Sequence, residues 1–193
     1  GLGATTVNLK GGIGSASAVT SYGARVGALM VVNALGSATI GDSAHFWAAA
    51  LEQGNEFGGR GLPKHIDDAG RLPRWKGGPS PAAVPHATTI GIVATDATLT
   101  KAEAERVAIA GHDGFARALR VTHALFDGDT LFAASTKRRP APATPAQTIE
   151  LGIVAADCVA RAIARGVYSA TNPGGGYAGP PAYGDLHGWQ TVN

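Results

Sequence analysis

The chain has one cysteine, Cys158, in 193 residues. A disulfide within the chain is therefore excluded, and so is any cysteine-based zinc site. A lone thiol fits a reducing compartment, so a cytoplasmic location is expected. Charge is also scarce: 16% of residues are charged, 16 basic against 14 acidic, for a net +2. That balance leaves no electrostatic footprint for nucleic acid and no long charged tail. No apolar run approaches the ~20 residues that cross a bilayer. No basic stretch followed by an apolar one opens the chain, as a secretory signal would. Neither a nucleic-acid nor a membrane partner is expected. The six histidines show no H-E-x-x-H or related spacing, which gives no metal site. An initial methionine is missing too; the first residue is Gly1.

What is present is small and apolar. Hydrophobic residues make up 45% and glycines number 28, enough for one globular domain with many tight turns. No short period orders the glycines, so a repeat architecture is excluded. Residues 1–21 are rich in Gly, Ser and Thr and read as a loop surface with little core material. "RVGALMVVNAL", from Arg25 to Leu35, reads as a buried strand, with Asn33 as a turn residue near its end. From Gly54 to Pro85 the chain is rich in Gly, Pro and charge and reads as an exposed linker. Thr89–Thr95, "TIGIVAT", reads as a central strand. Thr100 and Glu103 form a capping box for a helix running from Lys101 to about Leu119, with a small-residue stripe of Ala104, Val107, Ala108, Ala110 and Gly111. A second strand, "TLFAAST", follows "HALFDGD". Lys137-Arg138-Arg139 and the Pro-rich segment after it read as a solvated loop. A second helix is expected over about 148–167, with Ile149, Ile153, Ala156, Val159, Ala160 and Ile163 at helical spacing. The tail beyond it reads as irregular. The C-terminal half is thus strand, helix, strand, helix, with strands apolar enough to be buried on both faces, which indicates layered α/β structure.

The residue patterns alone single out little chemistry. "GGIGSAS" matches neither a dinucleotide fingerprint nor a Walker loop, and "GSAS" lacks the G-x-S-x-G elbow. His112 and His123 read as structural or hydrogen-bonding histidines. Asp127-Gly128-Asp129 can serve as a turn before a strand, or can aim two carboxylates at one site.

Longer stretches carry more. "TTIGIVATDATLTKAEAERVAIAGHDGFARAL", with "THALFDGDTLFAAST" after it, resembles the self-processing subunit of the L-aminopeptidase D-amidase/D-esterase (DmpA-like) family. That family includes β-aminopeptidases and nylon-oligomer (6-aminohexanoate-oligomer) endohydrolases. "LKGGIGSAS" and "VGALMVVNALG" resemble its upstream α-subunit segments, and "AADCVARAIARGVYSAT" and "PAYGDL" its end. Family precursors carry well over a hundred further residues before the segment matched by "KGGIG", so the chain reads as the C-terminal portion of a longer protein.

The resemblance implies an α-β-β-α sandwich of the DmpA/ornithine acetyltransferase type, one structural domain whose two cleavage products share a sheet system. Self-cleavage is expected between Ala87 and Thr88, making residues 1–87 the end of an α-subunit and 88–193 a β-subunit. Ala87 stands where Asn or Gly is usual in the family, and its small side chain suits a strained scissile turn. Thr88 is the implied nucleophile, and its freed α-amino group, pKa ≈ 7.7–8.0, the implied base. Asp127 and Asp129 are implied to lie beside Thr88 and polarise its amine and hydroxyl. Asn33 matches an oxyanion donor and Lys10 a lysine near the nucleophile. The implied activity is an N-terminal-nucleophile amidohydrolase or aminopeptidase on short peptides, β- or D-amino amides or aminohexanoate oligomers. It would need no cofactor, and the implied assembly is a homo-oligomer of α/β heterodimers. Two other readings share the fold: an ornithine acetyltransferase-like acyl transferase and a truncated, non-catalytic homologue.

Overall fold

A computed structural model describes residues 3–78 and 86–189. Four strands form one sheet in the order β1-β2-β3-β4. In β2 (Arg25–Asn33), Val26, Ala28, Met30 and Val32 are buried while the residues between them are more exposed. This period of two places the four on one side of the sheet. β3 (Thr88–Ala97) lies at the centre, antiparallel to β2 and parallel to β4 (Thr130–Arg139). A parallel pair needs a crossover, and α2 (Lys101–Ala118) supplies it. The expected capping box holds at its start: Thr100 accepts from the Glu103 N–H, and the Glu103 carboxylate accepts from the Thr100 N–H. The buried stripe of α2 is Val107, Gly111, Gly114, Phe115 and Ala118, shifted toward its C-terminus.

The second long helix, α3 (Pro145–Tyr168), starts at a proline in its first turn, with Thr144 as N-cap. It packs on β1, β2 and α2. Its buried face is rich in small residues, among them Ala155, Ala156, Ala160, Ala162, Ala164 and Gly166, with Leu151, Val159, Ile163 and Val167 between them. Ile149 and Ile153, expected on that face, are exposed, while Leu151 between them is fully buried, so the buried face of α3 is turned away from both isoleucines.

The first 21 residues correct the expectation of a loop. They supply β1 (Ile13–Val19), antiparallel to β2, and Leu9 and Ala16 enter the core. The strand "IGSASAV" lacks the bulky side chains that signal a strand, because α3 lies directly on it. A Cβ at Gly14 would stand 2.1 Å from the Ala162 carbonyl oxygen. The segment from Gly54 is also less exposed than expected. Phe57 is buried, and Glu56 pairs with Arg161 of α3. A short helix, α1 (Asp68–Arg71), follows; residues 79–85 of that linker lie outside the described residues. Lys137-Arg138-Arg139 are exposed as expected but belong to β4, not to a loop. The tail contributes α4 (Tyr183–His187), whose Tyr183 is buried against Phe46, ring centroids 5.1 Å apart.

Among the described residues, helices cover one face of the sheet only. Ile13, Leu29, Ile90, Ile92 and Phe132 share the other face through the strand register and are exposed. The strands are therefore not buried on both faces. The described residues form one sheet and one helix layer, and residues on both sides of position 87 contribute strands to that sheet, as expected.

Candidate active site

Strand directions gather the site. The antiparallel partnership brings the end of β2 to the start of β3, pairing Asn33 with Thr88. The parallel partnership brings the start of β4 to the same edge, and Ala87 forms a bridge with Asp127. Three chain segments far apart in sequence thus meet at one end of the sheet. Thr88 alternates with the buried Thr89, so its side chain lies on the helix-free face with Ile90.

The Thr88 hydroxyl donates to its neighbour's carbonyl, Oγ1 to Ala87 O, at 2.6 Å. The Gly128 N–H donates to the same oxygen at 2.9 Å. Gly128 also leaves room for the hydroxyl, since a Cβ there would stand 2.7 Å from Thr88 Oγ1.

The two aspartates differ. Asp129 is saturated with donors. Its Oδ1 accepts from the Thr89 N–H at 2.9 Å, and its Oδ2 from the Thr122 hydroxyl at 2.6 Å and the His123 N–H at 3.1 Å. The His123 ring Nδ1 lies 3.1 Å from Oδ2, and Nε2 lies 3.2 Å from His112 Nδ1. With Nδ1 donating to the carboxylate, a neutral His123 accepts at Nε2 and His112 donates. Burial, and then His123, hold His112 below the ordinary imidazole value. Both carboxylate oxygens of Asp127, in contrast, are buried without a hydrogen-bond partner among the described residues. Burial, then the neighbouring Asp129 charge, push its pKa up to about 7.

Asn33 does not end its strand as a turn residue; it is the last residue of β2. Its Oδ1 accepts from the Thr5 N–H at 3.1 Å and from Lys76 Nζ at 2.9 Å. Lys10 is buried, and its ammonium donates to the Ala4 and Gly11 carbonyls at 2.7 and 3.2 Å. Burial lowers its pKa. It joins the site at one remove, through its bridge to Thr5, the residue that holds Asn33. The structure thus brings together Thr88, Ala87, Asp127, Asp129 and Asn33, with Lys10 behind them.

Residue patterns did not single out Lys76 or Thr122, and marked Gly128 only as the middle of a turn. Lys76 lies in a stretch that reads as linker, with no periodicity to mark it. Among the described residues, no group of three His, Cys, Asp or Glu could hold a metal ion. No helix there is long and apolar enough to cross a membrane. A surface cavity of about 610 Å³ opens at the other end of the sheet. There Asp96 is paired with Arg25 and Arg139, far along β3 from Thr88.

Similarity to known proteins covers most of the chain. The model of Peptidase family S58 matches residues 1–178. The uncharacterized aminopeptidase Rv1333 of Mycobacterium tuberculosis (strain ATCC 25618 / H37Rv) is 38% identical over 188 residues, covering 92% of this chain and 52% of its own length. The uncharacterized aminopeptidase ML1167 of Mycobacterium leprae (strain TN) is 38% identical over 193 residues, covering 95% of this chain and 50% of its own. The chain spans about half the length of these curated relatives. Among solved structures, the PH0078 protein of Pyrococcus horikoshii OT3 shares the fold with a TM-score of 0.54 and 27% identity, over 86% of this chain and 42% of that one. A family model matched over 178 of 193 residues decides the classification: this chain belongs to peptidase family S58.

Proposed function

We propose that the chain is the catalytic part of a self-cleaving amidohydrolase of the aminopeptidase type, with Thr88 as its nucleophile. The observation that carries this reading is the Thr88 hydroxyl 2.6 Å from the Ala87 carbonyl oxygen, at the Ala87–Asp127 bridge, where both Asp127 carboxylate oxygens are buried without a hydrogen-bond partner among the described residues.

Self-cleavage needs a base, because a threonine hydroxyl is a poor nucleophile on its own. Before the cut no free amine exists at Thr88, and Asp127 fills that role. A carboxylate with a pKa near neutrality both accepts and returns a proton at working pH. Asp127 takes the hydroxyl proton as Oγ1 attacks the Ala87 carbonyl carbon. Charge then develops on the Ala87 oxygen, where the Gly128 N–H is already directed. The Ala87–Thr88 C–N bond breaks, the Thr88 nitrogen takes the proton, and an ester joins Ala87 to Oγ1. Water hydrolyses that ester, leaving an Ala87 carboxylate and a free Thr88 amine. The amine, pKa ≈ 7.7–8.0, then serves as base when the same hydroxyl attacks the carbonyl of a substrate amide. Asn33, opposite Thr88 in the ladder, supplies its side-chain N–H to the oxyanion, and one such donor is worth ≈ 2.7–4 kcal/mol. Asp129 holds the Thr89 backbone and with it the start of β3. The substrate class follows from the family resemblance: short peptides, β- or D-amino amides or aminohexanoate oligomers.

Intact mass and N-terminal sequencing of the native-length protein test this reading. A new terminus at Thr88 is expected, and Thr88→Ala should leave one uncut, inactive chain. A folded Thr88→Ala protein that still cuts itself at this bond would remove Thr88 from the mechanism.

A further inference from the structure

We infer that Lys76 is a positioning residue of this site: its ammonium holds the Asn33 side-chain oxygen and so fixes the orientation of the Asn33 amide. The inference rests on the self-cleavage reading above and adds to it a residue from the segment that precedes the cut.

Asn33 Oδ1 takes two hydrogen bonds, one from the Thr5 N–H and one from Lys76 Nζ. An amide nitrogen accepts neither, so the orientation of the group is decided by its partners. Its oxygen is tied on both bonds, and its NH2 remains as the donor of the residue that faces Thr88. Without Lys76 the Thr5 N–H alone would resist a flip, and a flipped amide presents an acceptor to a developing oxyanion.

The second effect is electrostatic. Asp129 faces Asp127 from the same turn, the His123 backbone from the loop after α2, and Lys76 from the segment before the cut. The His123 ring and His112 lie beyond Asp129. Burial and Asp129 favour the protonated acid at Asp127; Lys76 is the positive charge that opposes them. Burial in turn lowers Lys76 to about 8, and Asp127 acts against that fall. Each charge favours the ionised form of the other. Lys76 is held at the site by its backbone N–H, which donates to the Leu35 carbonyl at 3.0 Å, two residues past Asn33.

Self-cleavage supplies its own substrate, so its kinetics test this directly. Native-length precursor from cell-free synthesis is moved into buffers between about pH 5 and 9 and the cut chain is followed by gel. Lys76→Met is expected to slow cleavage about 10-fold or more at pH 7. It should also move the midpoint of the acid limb upward by about one pH unit. Lys76→Arg should restore both in part. Asn33→Ala should slow cleavage and leave the midpoint where it was, since it removes the amide and keeps the charge. Lys76→Gln keeps a donor to Asn33 without the charge; it should retain more rate than Lys76→Met while shifting the midpoint equally. That comparison carries the test if the Met variant does not fold. Lys76 variants with the wild-type rate and midpoint would overturn the inference while an uncut Thr88→Ala chain left the self-cleavage reading standing. A Thr88→Ala chain that cuts itself would overturn both.

Discussion

A single methyl group at position 128 tests the geometry around Thr88. Gly128→Ala keeps the backbone N–H that donates to Ala87 O but places a Cβ 2.7 Å from Oγ1. The hydroxyl must move, and a displacement of about 1 Å can cost a reaction about 100-fold. Self-cleavage of Gly128→Ala is expected to slow by at least about 10-fold, read as the half-time of precursor loss on a gel. Asp127 gives the pH dependence. Its carboxylate form grows as pH rises through about 7, so the cleavage rate should rise between about pH 6 and 8 and level off above. The same shift has a stability sign. A carboxyl whose folded pKa lies above its ordinary value holds a proton that the unfolded chain has lost. Asp127 therefore costs stability as pH rises from about 4 to about 7. Asp127→Asn should abolish self-cleavage and melt higher than wild type at pH 8 in calorimetry. Spacing alone could not separate the two aspartates, because a D-G-D turn presents them symmetrically in sequence. Only the donors gathered by folding tell them apart: Thr89, Thr122 and His123 fill Asp129, while the Asp127 oxygens meet no hydrogen-bond donor among the described residues.

At the scale of elements, α2 and β3 were legible because each carries its own local signal. A capping box opens the helix, and an apolar run with β-branched residues marks the strand. β1 carries no such signal, since its small residues are chosen by the closeness of α3 and not by strand propensity. The segment after Gly54 was read as linker because its anchors are single residues without period. One of them, Glu56, meets Arg161 through two bonds, Nε to Oε1 at 2.5 Å and a second guanidinium nitrogen to Oε2 at 2.9 Å. Arg161 also donates to the Ser17 carbonyl of β1 at 3.1 Å. This pair ties three elements together at 5% and 12% side-chain exposure. Removing one partner leaves the other charge buried and unpaired, so Glu56→Ala is expected to cost about 3–5 kcal/mol, measured by urea denaturation of the native-length protein. A cost below about 1 kcal/mol would show the pair to be solvated.

At the scale of the whole molecule, Thr88 lies on the face of the sheet that the described helices do not cover. An antiparallel sheet with one wet face normally alternates apolar and polar residues. Here the helix-free face carries Ile13, Leu29, Ile90, Ile92 and Phe132. The α-β-β-α arrangement implied by the family resemblance would place a second sheet there and enclose Thr88 between layers. Ile92→Lys in the native-length protein is then expected to destabilise it by more than about 1 kcal/mol, whereas a solvated position would change stability by about 0.5 kcal/mol or less. The presence of α2 and β3 and the start of α2 at Lys101 were determined by the sequence itself, and the candidate site residues and candidate cut were named from it, because each is written in neighbouring residues or in a long shared motif. Which aspartate is left without a hydrogen-bond partner among the described residues, that Lys76 reaches Asn33, and that the described helices cover only one sheet face were decided only by the tertiary structure. Those properties arise from strand direction and burial, which bring together residues 43 positions apart in the chain as Asn33 and Lys76 are, and no local pattern records such a meeting.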